Sequence, residues 1–77
     1  MEEFKNWREI KDWATEHGYD KMAERMQLNN DAWNSSGEFG RNQVAICDAM
    51  RAAKTEEERE EIAKSINEAC QENLGLW

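Results

Sequence analysis

The sequence has no proline and only four glycines in 77 residues. It therefore lacks the punctuation that turn-rich and sheet-rich chains use. β-branched residues are just as scarce: one Val, four Ile and two Thr, a balance that argues against a sheet. There is a single histidine, His17, and two cysteines, Cys47 and Cys70, with no C-x-x-C pair. No apolar run exceeds a few residues, so no membrane-spanning helix is expected. The opening Met1-Glu2-Glu3 is acidic with no apolar stretch behind it, so no signal peptide is expected either.

These absences also thin out the chemistry. A lone histidine with no anchored partner, placed at a helix end, reads as a surface or capping group, not a general base. Cysteines on apolar helical faces are normally inert packing, and the spacing of His17, Cys47 and Cys70 does not build a metal site. Gly37 and Gly40 lack the strand and lysine of a phosphate-binding loop. The carboxylate run from Glu56 to Glu61 suits the positive end of a helix. The expectation is a protein that is not an enzyme, with no cofactor and no metal. Both thiols are expected free and at least partly buried, which fits a reducing cytoplasm, of a bacterium or a phage-infected host cell.

What is present is helical and acidic. Glu, Lys, Arg, Ala, Met and Gln dominate, all good helix formers. The mean hydropathy of −1.06 would allow disorder, but four Trp in 77 residues oppose it. The formal net charge is −7. Residues 1–20 carry six acids and three bases, residues 55–77 seven and two, while residues 41–54 carry one and three. An acidic chain repels phosphate and is steered toward basic surfaces, so a basic protein is the expected partner and direct nucleic-acid binding is not.

Turn signals at Gly18, at Asn29-Asn30-Asp31, from Asn34 to Gly40, at Lys54-Thr55 and at Gly75 divide the chain into four segments. The first, about residues 2 to 16, spaces Phe4, Trp7, Ile10, Trp13 and Ala14 on one helical face, with Glu2 and Glu3 at its N-terminal end. The second, about 20 to 28, carries Met22, Ala23 and Met26 behind a possible Asp20 cap. The third, about 41 to 53, has an Ile46, Met50, Ala53 stripe flanked by Cys47 and Ala49. The fourth, about 56 to 73, opens on a capping box from Thr55 to Glu58 and repeats Ile62, Ile66, Ala69 and Cys70. Glu60 and Lys64 are spaced for a helical ion pair. The reading is an all-α single domain over residues 1–77, a compact bundle of about four short helices around Trp, Met and Ile.

Residues 22–41 add a resemblance. Met22, Ala23, Met26, Leu28 and Trp33 fall at apolar and small positions similar to those of the helix-turn-helix of phage-repressor-type regulators, and Glu38-Phe39-Gly40-Arg41 is similar to a stretch that follows in that family. The resemblance implies a recognition helix over Asn29 to Gly37, with Asn29, Asn30 and Asn34 facing bases and Arg41 a phosphate. Gln27 stands at the turn-glycine position, and the implied recognition helix has no Lys or Arg and includes Asp31.

In size and charge the chain also resembles the small acidic inhibitors of bacteriophages and mobile elements, anti-CRISPR proteins included. The reading that follows is a protein–protein interaction module. Glu2, Glu3, Glu9, Asp12, Glu57, Glu58 and Glu61 would face the basic groove of a host protein, with Trp77 as an aromatic anchor. The alternatives are a helix-turn-helix DNA-binding regulator and a structural homo-oligomer, for instance a dimer burying Trp77.

Overall fold

Asn6 decides where the first helix begins. Its backbone is extended, and its side-chain oxygen accepts from the Glu9 amide at 3.0 Å. Glu9 reaches back to the Lys5 amide at 2.8 Å. The computed structural model describes residues 2–33 and 37–72, and among these it holds four helices and no strand. They are α1 (Trp7–Glu16), α2 (Asp20–Asp31), α3 (Gly37–Ala52) and α4 (Glu56–Glu72). The protein is an all-α bundle. Thr55 and Glu58 repeat the Asn6–Glu9 arrangement at the start of α4: the Thr55 hydroxyl accepts from the Glu58 amide at 3.1 Å, and Glu58 accepts from the Lys54 amide at 2.8 Å. The capping box read from the sequence is present, with its return bond one residue earlier than the usual form.

α1 stops where Gly18 takes a φ of +84°, a left-handed conformation that costs glycine little. His17 caps that end: its Nδ1 donates to the Trp13 carbonyl at 2.8 Å, and its ring stacks on Trp13 at 4.1 Å. α2 packs against each of the other three helices. Asn67 of α4 accepts the Met22 amide at 2.9 Å, and Gln43 of α3 donates to the Met26 carbonyl at 3.0 Å. The core holds Ile10, Ala14, Met22, Met26, Ile46, Met50, Ala63, Ile66 and Cys70. Both cysteines are free, Cys70 buried and Cys47 half-buried.

Five expectations change. α1 starts at Trp7, so Glu2 and Glu3 belong to a strap without regular structure and not to a helix N-terminus. α2 runs on to Asp31, because Asn29 is fully buried and its amide donates to Gln43 at 3.5 Å; a tertiary contact outweighs the turn preference of Asn-Asn. α3 starts at Gly37, ahead of the expected residue 41. Among the described residues the tryptophans border the core and do not fill it: Trp7 and Trp13 are half-buried and Trp33 is 45% exposed. Glu60 turns to the Tyr19 hydroxyl, at 3.3 Å, and not to Lys64. Among the described residues no helix is long and apolar enough to cross a membrane.

Candidate protein-binding site

The strap of residues 2–5 is held by two arginines from different helices. Arg59 of α4 is buried; it donates to the Glu2 carbonyl, pairs with Glu56 at 3.0 Å and lies 3.9 Å over the Phe4 ring. Arg51 of α3 donates to the Phe4 and Lys5 carbonyls, each at 3.3 Å. The strap is thereby laid along α1, and a cleft of about 330 Å³ opens between them. Its walls are Glu2, Glu3, Glu9, Asp12 and Glu16, its floor Phe4, Trp13 and Arg59. Phe4 meets Trp13 edge-on at 6.1 Å, and Trp13 also stacks with Tyr19 at 5.9 Å. Among the described residues, five carboxylates thus surround an aromatic floor whose one cation is engaged with Glu56 and a carbonyl.

Glu2, Glu3, Glu9 and Asp12, singled out from sequence, come together here. Glu16 joins them; its spacing from Glu9 and Asp12 (i, i+3, i+7) is visible in the sequence, but the strap that closes the cleft is not. Glu57, Glu58 and Glu61 are exposed on α4 and do not line it. Glu9 and Glu58 also serve as helix caps, so substituting either mixes binding with stability. Trp77 lies outside the described residues.

The residues of the DNA-binding alternative are placed differently. Asn29 and Asn30 form the last turn of α2 and do not open a second helix, and Asn29 lies inside the core, out of reach of any base edge. Asn34 lies outside the described residues. Arg41 is exposed on α3. Arg25, a basic residue in the same region, is buried beside Cys70.

A second concavity was not foreseen. Gly40 has no Cβ, and one placed there would meet the Trp33 ring at 3.3 Å; the ring therefore lies on the backbone of α3. Trp33, Gly37, Gly40, Arg41 and Val44 line a cavity of about 400 Å³. It shares Trp33 and Val44 with another of about 290 Å³ that reaches Trp7, Cys47, Asp48 and Arg51. Burial pushes the Cys47 and Cys70 thiols above the usual thiol range, with Arg51 and Arg25 respectively pulling part of the way back. That disfavours the thiolate a nucleophile requires. Among the described residues no cluster of His, Cys, Asp and Glu could hold a metal ion.

Compared with protein families, with curated proteins and with solved structures, the chain finds no match.

Proposed function

We propose that this chain is a protein–protein interaction module that binds a basic surface of another protein through its acidic cleft. The observation that supports it is the ring of Glu2, Glu3, Glu9, Asp12 and Glu16 around an aromatic floor. Carboxylates so arranged meet guanidinium and ammonium groups, and Phe4 and Trp13 offer faces on which a guanidinium can stack. Such a cleft takes the place that phosphates occupy on a nucleic-acid-binding protein. The action proposed is therefore inhibition of a host protein by occupying that surface, as in the small acidic phage inhibitors the chain resembles in size and charge. Rim carboxylates of this kind raise association rate and salt sensitivity more than affinity.

The test compares two charge reversals of equal size. One variant carries Glu3→Lys, Asp12→Lys and Glu16→Lys in the cleft; the other carries Glu57→Lys, Glu61→Lys and Glu68→Lys on the exposed stripe of α4. The probe is a nona-arginine peptide, followed by fluorescence anisotropy across a salt series. The cleft variant is expected to bind at least about tenfold more weakly than the α4 variant. Equal loss in both would mean that net charge alone attracts the probe, and the cleft reading would fail.

A further inference from the structure

α3 has two working faces. Ile46 and Met50 point into the core. On the other side Gly37, Gly40, Arg41, Val44, Asp48 and Arg51 recur at three- and four-residue spacing, so they share a stripe centred on Val44. That stripe is the floor of the groove between Trp7 and Trp33. Its large apolar side chains are unusually bare for a chain of this polarity: Val44 is 49% exposed and Trp33 45%. Exposed apolar surface gathered in a concavity marks a binding site more often than scattered apolar residues do.

The charges around it run against the rest of the molecule. The chain as a whole carries −7, yet the groove has Arg41 toward one end and Arg51 toward the other. Arg8 and Lys11 lie 5.1 and 5.9 Å from the Trp7 ring. Among the described lining residues Asp48 is the one carboxylate. Arg41 and Arg51 are ten positions apart, about 15 Å along α3 at roughly 1.5 Å per residue. That is the length of about three helical turns.

We infer that this groove receives an acidic amphipathic helix from a partner protein. Apolar side chains of that helix sit between Trp33, Val44 and Trp7, and carboxylates near its two ends face Arg41 and Arg51. Helix-in-groove recognition has this form: an apolar floor as long as the anchor spacing, with ionic groups at the ends to set direction and register. A nucleic acid fits less well. It would bring a phosphate for every nucleotide into the field of a −7 protein, against a floor that is mainly apolar. The groove lies on the other flank of α1 from the acidic cleft, and although Arg51 both borders the groove and tethers the strap, changes at Val44 and Arg41 test the groove without touching the cleft.

The test is selection of displayed peptides on the full chain, with counter-selection on a Val44→Glu variant checked for helicity by circular dichroism. The expected winners carry apolar residues at helical spacing together with Asp or Glu. They lose at least about tenfold in affinity on Val44→Glu. They also weaken on Arg41→Glu, and they shield Cys47 from maleimide while the rate at Cys70 is unchanged. Winners that are basic, that bind Val44→Glu equally well, or that fail to rise above the counter-selected background would overturn the proposal. So would a poly-dT oligonucleotide whose binding disappears on Arg41→Glu, which would assign the face to nucleic acid. Self-association abolished by Val44→Glu would assign it to a second copy.

Discussion

On one flank of α1, carboxylates ring an aromatic floor; on the other, cations border an apolar one. Trp13 belongs to the first and Trp7 to the second, and six positions of helix separate them by about 120°. The two flanks are assembled in different ways. The acidic cleft depends on a strap with no regular structure, tied down through its carbonyls by Arg51 and Arg59. The apolar groove is floored by a helix face, with Gly40 allowing the Trp33 ring onto the backbone. A surface carried by a tethered strap can be removed by cutting distant tethers, whereas one carried by a helix is lost only through its own side chains or with the helix. The comparison therefore predicts separable failures.

The largest effect should come from the core that both flanks share. Met26 is fully buried in α2, the helix that touches the other three. Met26→Ala is expected to cost about 2–5 kcal/mol, much of what so small a domain has. Urea unfolding would register that loss, and both surfaces should be lost together. Retention of either surface in an unfolded variant would show that it does not need the bundle.

Arg59→Ala should separate the flanks. It removes the bond to the Glu2 carbonyl, the pair with Glu56 and the contact with the Phe4 ring. A loss of about 1–3 kcal/mol is expected, with faster trypsin cleavage after Lys5 and weaker nona-arginine binding. Peptides selected for the Val44 groove should bind as before. Unchanged cleavage would mean that Arg51 alone suffices to hold the strap.

The smallest effect is in alkaline solution. Burial raises the Cys47 and Cys70 thiols, and partial burial with the Glu60 carboxylate raises the Tyr19 hydroxyl. A group whose folded pKa lies above its unfolded one contributes stability that is complete below the unfolded pKa and is lost as pH rises through the folded one. Thermal stability should therefore decline above about pH 9. Maleimide should react with half-buried Cys47 before buried Cys70, and more slowly with either than after unfolding. A midpoint that held steady to about pH 10.5 would show that these groups ionise alike in both states.

How much of this was legible beforehand varies with the element. The Thr55–Glu58 cap, the glycine stop after His17, and the buried Ile and Met positions depend on groups within a turn or two of each other, and each could be read from spacing. The start of α1 could not. Trp7, Ile10 and Ala14 mark the helix, but whether Phe4 continues it depends on Asn6 winning as a cap. Asn29 and Asn30 looked like a turn because asparagine competes locally with helical hydrogen bonds. Gly37 and Gly40 looked like a loop because glycine is a poor helix former. In both places a side chain from outside the helix concerned, Gln43 against Asn29 in α2 and Trp33 against Gly40 in α3, accompanies the reversed local preference.

Acidity, helicity and the class of fold follow from the sequence alone, because composition and short-range periodicity carry them. Which carboxylates gather, where the cations collect and which tryptophan is left half bare were decided only in the tertiary structure. Those outcomes turn on Arg59 reaching Glu2 and on Trp33 lying against Gly40. They are contacts between residues whose separation in sequence says nothing about their distance in space.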